Sequence, residues 1–451
     1  MISLPSFHIL TARPVLPILT AFALSALPAL AASSTASWKF DFGTANAAPG
    51  YTAVTPADAY SAERGFGFEA GGGKPVATDR GGKDPLTGDF ITSDQPFFFS
   101  VNVPEGNYRV RVTLGDSAGE SATTIKAELR RLMVEHATTK TGKFESVEFI
   151  VNTRSPKIAA VGDIKEGTVN LKAPRESEQE AWAWDDKITL EFNDSHPAVC
   201  AIEITRVEVP TIYVLGDSTV CDQSREPFAS WGQMLPRFFQ PVVAISNHGE
   251  SGETYSSSLS RRRIDKIVST LKPGEVVLMQ FGHNDQKEKG EGKGPFLHYK
   301  DNIKKHVAMI RARGGVPVIV SPMERRSFDD AGKVKHSLAD FAEGARQAAK
   351  EIDAPFIDLN AISVPYYEFL EAKGKEVSRK AFAGQDNTHH NNYGSYELAK
   401  AIAQGLRDAK VEVAKYLRPD FTGFDPHHPD PVETFALPAT PGRQGPRPLG
   451  D

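Results

Sequence analysis

From residue 211 to residue 416 the chain alternates short apolar runs with longer stretches of helical periodicity. The apolar runs cover residues 211–215, 241–246, 275–281, 316–320 and 355–359, and the helical stretches cover residues 300–313, 334–352 and 395–409. Short β-rich runs that are apolar throughout are typical of strands buried on both faces of a parallel sheet. Strands that alternate with helices form such a sheet through right-handed crossovers, with helices on both faces. The pattern therefore predicts a flavodoxin-like three-layer α/β/α domain over residues 211–416.

Residues 36–209 follow a different pattern, in which apolar and polar residues alternate in short runs separated by turn residues. Residues 108–114 and 187–192 alternate in this way, and further strands are predicted at residues 97–103, 144–151 and 201–209. Regular short strands of this kind indicate an all-β sandwich of antiparallel strands. Trp182 and Trp184 alternate with Ala183 and are predicted to share one face of a strand.

The aromatic residues of this β-domain leave its role open. The candidates for a sugar-stacking surface are Tyr60, Phe66, Phe68, Trp182 and Trp184. Large aromatic side chains are on average highly buried, so a place in the core is the more common alternative. A third interpretation is that the β-domain packs on the α/β domain and shapes its cleft.

The two ends of the chain predict export and an extended tail. Residues 1–31 begin modestly basic, continue apolar and end in Ala-Leu-Ala, which is the pattern of a secretory signal peptide. The mature protein is therefore expected to be soluble and either periplasmic or secreted. Residues 417–451 are rich in proline and are expected to form an extended surface segment that frays towards Asp451.

The composition excludes several classes of protein. With 40% hydrophobic and 24% charged residues, the 451-residue chain is typical of a globular protein of at least two domains. Its formal net charge of −5 gives no electrostatic case for binding nucleic acid or an anionic membrane. Cys200 and Cys221 are its only cysteines. They either form a bridge between the two domains or remain two buried thiols.

Polar clusters follow three of the strands predicted in the α/β domain, and a fourth cluster precedes its last helix. Ser218 stands in Gly-Asp-Ser-Thr after the first strand, Gly252 closes Asn-His-Gly-Glu-Ser-Gly after the second, and Asn284 stands in Gly-His-Asn-Asp after the third. Asp386 and His389 belong to Asp-Asn-Thr-His near the C-terminus. Because ligands of open α/β sheets bind beyond the carboxyl ends of the strands, we expect the clusters to converge at one edge. Taken alone, the Gly-Asp-Ser is equally compatible with a helix cap.

The residue types in these clusters suit nucleophilic catalysis. A serine hydroxyl needs a base to remove its proton, and His389 is the predicted base for Ser218. Asp386, three residues before His389, is predicted to hold the imidazole tautomer and to stabilise the imidazolium that forms. The backbone N–H groups of Ser218 and Gly252 and the side-chain amide of Asn284 are the predicted donors of an oxyanion hole.

Other histidines near these clusters were weighed for the same roles. His390 is a second candidate for the base, although the Asp-x-x-His spacing favours His389. His283 is expected to brace its loop, and His248 is expected to be a loop residue. Neither the His389–His390 pair nor the acidic, His-containing tail at residues 425–430 has the spacing of a metal site.

The four clusters together resemble the GDSL/SGNH hydrolase superfamily, whose sequence blocks occur here in order at residues 216–219, 247–252, 282–285 and 386–389. The resemblance covers residues 211–415. It implies a triad of Ser218, His389 and Asp386, with Gly252 and Asn284 in the oxyanion hole. Within the superfamily the blocks look like those of rhamnogalacturonan acetylesterases, and residues 36–209 resemble galactose-binding-like modules.

The resemblance implies a secreted carbohydrate O-acetylesterase that removes acetyl groups from pectic polysaccharide. It implies neither a metal nor an organic cofactor, and an acetylated polysaccharide or oligosaccharide is the expected partner. The alternatives are an acetylesterase of xylan or other acylated sugars, a GDSL lipase or thioesterase, and a carbohydrate-binding protein with a degenerate hydrolase domain. The loops predicted near Ser218 are rich in charged and amide residues, which favours a hydrated substrate over a lipid.

One position departs from the pattern of the family. The family often has Gly-Arg-Ser at the oxyanion glycine, whereas this chain has Gly252-Glu253-Thr254. If Glu253 lined the cleft, it would repel the carboxylates of galacturonate.

Overall fold

The computed structural model of the protein describes residues 1–4, 36–44, 46–82 and 84–441. Contacts divide the chain at Thr35, and all of the helices and strands described lie in the second unit, which begins at Ala36. The predicted signal peptide lies almost wholly outside the described residues, as do residues 442–451 of the proline-rich tail. No helix in the described ranges is both long and apolar enough to cross a bilayer.

The β-domain is built from two main sheets. Its strands are β1 (Ser37–Phe42), β2 (Thr52–Val54), β3 (Phe66–Phe68), β4 (Val76–Asp79), β5 (Asp89–Thr92), β6 (Phe97–Asn102), β7 (Gly106–Asp116), β8 (Ser121–Ala127), β9 (Arg131–Thr139), β10 (Lys143–Thr153), β11 (Lys157–Ile158), β12 (Gly167–Thr168), β13 (Lys187–His196) and β14 (Val199–Arg206). One sheet has the order β10-β7-β14-β1-β2, with β5 attached to β14 and β4 to β5. The other has the order β3-β6-β13-β8-β9, and β11 and β12 form a small separate pair.

Alternation along the strands buries the facing sides of the two sheets. Val110 and Val112 of β7 and Ile202 of β14 pack with Phe99 of β6 in one buried cluster. Arg111, between the two valines, is exposed. Since side chains of a strand point alternately to its two faces, this pattern builds a two-sheet core. The prediction of a β-rich domain in front of an α/β domain is confirmed.

Trp182 and Trp184 do not lie on a strand, so that prediction is wrong. Trp182 lies in a single 3₁₀ turn, Ala181–Ala183, between β12 and β13, and Trp184 follows it. Local hydrogen bonds fix this segment, because Ala183 N–H donates to Glu180 O and Trp184 N–H donates to Ala181 O. Both indole rings are buried, which removes them from any sugar-stacking surface.

The α/β domain is a five-stranded parallel sheet between two layers of helices. Its strands are β15 (Thr211–Gly216), β16 (Ala244–Asn247), β17 (Val276–Gln280), β18 (Val316–Val320) and β19 (Phe356–Ile357), in the order β16-β15-β17-β18-β19. Its helices are α1 (Trp231–Met234), α2 (Tyr255–Ser260), α3 (Arg263–Thr270), α4 (Lys300–Ala312), α5 (Ala339–Glu351), α6 (Leu359–Ala372), α7 (Lys375–Arg379) and α8 (Asn392–Asp408). The strand order is that of the flavodoxin-like fold, as predicted.

Alternate residues of the central strand face the two helical layers. Val214 of β15 belongs to a buried cluster with residues of α1, α6 and α8, whereas its neighbour Leu215 belongs to a second cluster with residues of α3, α4 and α5. The predicted helix at residues 334–352 begins only at Ala339. The backbone N–H groups of Ser337 and Leu338 donate instead to the carboxylate of Glu324, so the residues before the helix are held as a loop.

Two further expectations concern a bridge between the cysteines and the conformation of the proline-rich tail. Cys200 and Cys221 are free and buried, so the two domains are not joined by a disulfide. The tail crosses back to the β-domain, where Lys126 Nζ donates to Pro438 O at 2.7 Å and to Thr440 Oγ1 at 2.8 Å. Thr440 is buried, so the tail is anchored on the β-domain at this residue, and the fraying expected towards Asp451 concerns residues outside the described ranges.

Candidate active site

Ser218 lies directly beyond the carboxyl end of β15 and is buried. The turn that carries it is held locally, because the Asp217 carboxylate accepts hydrogen bonds from the backbone N–H and the hydroxyl of Thr219 at 2.9 and 2.8 Å. The Gln223 amide donates to the carbonyl oxygen of Ser218 at 2.6 Å. These bonds hold the backbone on both sides of the serine.

Two hydrogen bonds connect Ser218 through His389 to Asp386. Ser218 Oγ lies 2.7 Å from His389 Nε2, and His389 Nδ1 lies 2.9 Å from Asp386 Oδ2. Asp386 Oδ1 also accepts from the backbone N–H groups of Thr388 and His389, at 2.7 and 2.9 Å. Burial alone would raise the pKa of Asp386, but the hydrogen bonds and charge of His389 outweigh burial and hold this pKa far below its ordinary value.

His390 is turned to a different environment. Its Nε2 lies 2.8 Å from the hydroxyl of Tyr367, and its ring lies 4.4 Å from the ring of Phe382. Burial, assisted by the nearby charge of His389, lowers the pKa of His390 to about 3. The Nε2 of His390 is thus engaged by Tyr367, whereas the Nε2 of His389 is the one bonded to Ser218.

The other two candidates lie beyond the ends of the adjacent strands. Gly252 follows β16 in the loop at residues 249–254, here called the Gly252 loop, and its φ of +75° is a conformation that favours glycine. Glu250 N–H donates to Gly216 O at 2.9 Å, which ties this loop to the end of β15. Asn284 follows β17, and its Nδ2 donates to Glu253 O at 3.1 Å. One of the two amide hydrogens of Asn284 is used in this bond, and the second is left for a ligand.

The other two histidines of the clusters, His283 and His248, contact residues of the loops and strand around them. His283 Nδ1 lies 3.5 Å from the Asp217 carboxylate, a position from which it braces the serine turn. His248 directly follows β16, and its Nε2 lies 2.9 Å from Ser246 Oγ. His248 is buried, and its ring lies 5.8 Å from that of Trp184. His248 is therefore a loop residue, as expected from the sequence, and its ring is buried beside Trp184 of the β-domain.

Glu253 does not line the cleft. Its side chain is fully buried, and its Oε1 lies 2.7 Å from Lys172 Nζ, 3.3 Å from Arg261 Nε and 3.8 Å from Arg263 Nε. Its negative charge is surrounded by three cations. The repulsion of uronate carboxylates considered from the sequence therefore does not arise from this residue.

Residues of the β-domain that no sequence motif marks contact two loops near Ser218, the loop at residues 222–228 and the Gly252 loop. Arg131 Nε lies 2.7 Å from Asp222 Oδ2, and Arg130 Nη1 donates to the carbonyl oxygens of Gln223 and Phe228. Lys172 contacts the Gly252 loop. These contacts join residues far apart in the chain, so no local motif could identify them.

Two arginines contact residues that neighbour His389. The Arg225 guanidinium lies 5.7 Å from the ring of Phe228, which itself lies 6.0 Å from the ring of His389. Arg325 Nε donates to Thr388 Oγ1 at 3.2 Å. His389 therefore has an aromatic neighbour, Phe228, and the two guanidinium groups lie one residue further out.

A parallel flavodoxin-like sheet that carries a hydrogen-bonded set of Ser, His and Asp beyond its strand ends is typical of α/β hydrolases. Residues 214–396 match the GDSL-like lipase/acylhydrolase family. Residues 38–147 match the galactose-binding-like domain of the β-agarase/YXIM esterase type. The chain belongs to the GDSL-like lipase/acylhydrolase family, as the four sequence blocks predict.

Relatives of known name match one or both parts of the chain. The rhamnogalacturonan acetylesterase RhgT of Bacillus subtilis (strain 168) is 32% identical over 221 residues, which are 46% of this chain and 93% of that protein. The uncharacterized esterase YxiM of the same organism is 26% identical over 379 residues, 82% of this chain and 90% of that protein. A crystal structure of Bacillus subtilis YxiM aligns with 83% of this chain and 99% of its own, at 23% identity and a TM-score of 0.43.

Proposed function

We propose that the protein is a carbohydrate O-acetylesterase in which Ser218 is the nucleophile, His389 the general base and Asp386 the residue that orients the imidazole. The observation that carries the proposal is the pair of hydrogen bonds from Ser218 Oγ through His389 to Asp386. A nucleophile bonded to a base, which is in turn oriented by a carboxylate, is the arrangement that acyl transfer requires. The protein is thus a carbohydrate esterase, in keeping with its relatives that are named acetylesterases.

The proposed reaction has two halves. Ser218 Oγ attacks the carbonyl carbon of an acetyl ester while its proton passes to His389 Nε2, and the negative charge moves to the carbonyl oxygen. The backbone N–H groups of Ser218 and Gly252 and the side-chain amide of Asn284 donate to that oxygen. The C–O bond to the sugar breaks, and His389 returns the proton to the departing sugar hydroxyl. A water molecule, deprotonated by His389, then releases acetate and restores Ser218.

We propose acetylated rhamnogalacturonan as the substrate. The support is the sequence similarity to RhgT, together with the cations near the histidine. Arg225 and Arg325 place guanidinium groups where the carboxylates of a galacturonate-containing polymer would be recognised. Because Glu253 is buried among three cations, its charge does not oppose binding of a carboxylate at these two guanidinium groups. We place the enzyme outside the cytoplasm on the signal-peptide pattern of residues 1–31.

The test is acetate release from acetylated rhamnogalacturonan, acetylated xylan and p-nitrophenyl acetate by the wild-type protein and by Ser218→Ala. We expect release that depends on Ser218 and is fastest with the pectic polymer. Serine-dependent release that is fastest with xylan would keep the mechanism and refute the substrate. Release of no acetate from any of the three would refute the enzymatic proposal and favour a carbohydrate-binding protein.

A further inference from the structure

The β-domain reaches the Gly252 loop through one segment that lies between β12 and β13. Asn170 of this segment donates from its backbone N–H to Arg261 O at 3.0 Å, which docks the segment beside α2 and α3. Lys172 and Arg175 follow and point towards residues 250–253. The docked segment thus brings two cations from the β-domain to the loop that carries a proposed oxyanion donor.

Lys172 and Arg175 bind the residues on both sides of Gly252. Lys172 Nζ donates to the backbone carbonyl oxygen of Ser251 and lies 2.7 Å from Glu253 Oε1. Arg175 Nη2 donates to Ser251 Oγ at 2.9 Å, and its Nε lies 3.3 Å from Glu250 Oε1. The side chain of Lys172 is only 14% exposed, so these bonds are protected from competing water.

The bond to Ser251 O acts on the N–H of Gly252, because both belong to one peptide group. A planar trans peptide directs its carbonyl oxygen and its N–H to opposite sides. When Lys172 holds the oxygen, the N–H of Gly252 is fixed in the direction away from Lys172. A cation on the carbonyl oxygen also polarises the peptide, and polarised groups form stronger hydrogen bonds.

We propose that Lys172 is a positioning residue for catalysis, supplied by the β-domain, that sets the direction and the donor strength of the Gly252 N–H in the oxyanion hole. The proposal rests on the proposed function above, since it assigns the Gly252 N–H to the transition state of ester hydrolysis. It also gives Glu253 a role. The acid that departs from the family pattern is the counter-ion that keeps Lys172 beside the loop.

A group that acts only on the oxyanion affects the transition state more than the bound substrate. Loss of one oxyanion-hole donor typically lowers kcat by about 10²- to 10³-fold, and a small misplacement of a reacting group costs up to about 10²-fold. For Lys172→Met, which keeps the length of the side chain without its charge, we expect kcat for p-nitrophenyl acetate to fall by about 10- to 100-fold with KM changed less than twofold.

Lys187→Met is the matched control. Lys187 lies in the same domain, its Nζ is 2.7 Å from Glu69 Oε1, and its side chain is 16% exposed. The two substitutions therefore remove lysines of nearly the same burial from ion pairs of the same length, although Glu253 is more deeply buried than Glu69, and of the two lysines only Lys172 contacts the Gly252 loop. We expect Lys187→Met to keep the wild-type kcat. A kcat of Lys172→Met within twofold of that control, or a loss confined to KM, would overturn the proposal.

The concentration of active sites is titrated with a fluorophosphonate that labels Ser218, and kcat is calculated per active site. An unfolded fraction of a variant then does not lower its kcat. Lys172→Arg retains a cation and a donor, and we expect its kcat to exceed that of Lys172→Met by at least about fivefold, since the two variants differ mainly in the ability to hold Ser251 O. Equal rates for the two variants would overturn the proposal. Wild-type activity that survives Ser218→Ala is a separate result, which would instead refute the proposed function.

Discussion

Asp386→Asn is the substitution for which the hydrogen bonds of the site give the sharpest expectation. Asp386 Oδ1 accepts from the backbone N–H groups of Thr388 and His389, and its Oδ2 accepts from His389 Nδ1. An asparagine that keeps the two backbone bonds with its oxygen must present its NH₂ to His389 Nδ1. The imidazole then carries its proton on Nε2, and it cannot accept the proton of Ser218.

The expected loss follows from that change of tautomer. The asparagine also removes the negative charge that stabilises the imidazolium. In serine hydrolases with this triad the same change lowers kcat by about 10⁴-fold, which corresponds to about 5 kcal/mol in the activation free energy. Because the backbone bonds of residue 386 are retained, we expect the thermal midpoint of unfolding to change by no more than a few degrees.

The assay is kcat for p-nitrophenyl acetate at pH 8, with thermal unfolding measured on the same preparations. Asn387→Ala is the control, because Asn387 is exposed and adjacent to Asp386 but does not contact His389 in the described structure. We expect this control to retain nearly full activity. A loss of less than about 10-fold for Asp386→Asn would show that the carboxylate does not set the tautomer, and it would refute the assignment.

Three further predictions concern the neighbouring histidine, stability in acid and the contact between the domains. His389→Ala should reduce serine-dependent acetate release to background, whereas His390→Ala should retain much of it per folded molecule; the opposite result would exchange their roles. Burial lowers the pKa of His306 to about 4 from an ordinary 6.5, so the folded state loses stability relative to the unfolded state as the pH falls from 6.5 to 4, by about 3 kcal/mol in total. His306→Gln should reduce this acid-dependent loss by that amount in urea unfolding at pH 7, 5.5 and 4, and an unchanged pH dependence would contradict it. Arg131→Met, which leaves a buried carboxylate without its partner, should lower the free energy of unfolding by about 3–5 kcal/mol, whereas Arg111→Met, at an exposed ion pair, should cost at most about 1 kcal/mol; similar losses for both would contradict the reasoning.

Much of the α/β domain could be predicted from the sequence because its signals are local. A buried parallel strand is apolar throughout, and the residues that follow it must lie at the same edge of the sheet as those that follow its neighbours. Ser218, Gly252 and Asn284 each follow such a strand, so their common location was predictable before any contact was known. The choice between His389 and His390 depended on spacing alone, and the structure places the ring of His389 beside Ser218.

The predictions that were wrong concern segments whose conformation is set by contacts between residues distant in sequence, or by hydrogen bonds that produce no periodic pattern in the sequence. Trp182 and Trp184 alternate as strand residues do, yet their segment is a turn that packs in the interior. The start of α5 is displaced because the Glu324 carboxylate binds two backbone N–H groups that a helix would otherwise use. Lys172 is separated from Ser251 by 79 residues, and nothing in the sequence around either residue indicates that they meet.

The ion pairs and hydrogen bonds between the β-domain and the α/β domain limit whether either domain can be replaced by the corresponding domain of another protein. If residues 211–451 were produced without the β-domain, Asp222 would lose Arg131, Glu253 would lose Lys172, which is one of its three cations, and the tail would lose its anchor at Lys126. A buried carboxylate that has lost its partner is costly. The two parts are therefore not interchangeable modules, and a chimera that replaces the β-domain has to reproduce the cations that face the catalytic loops.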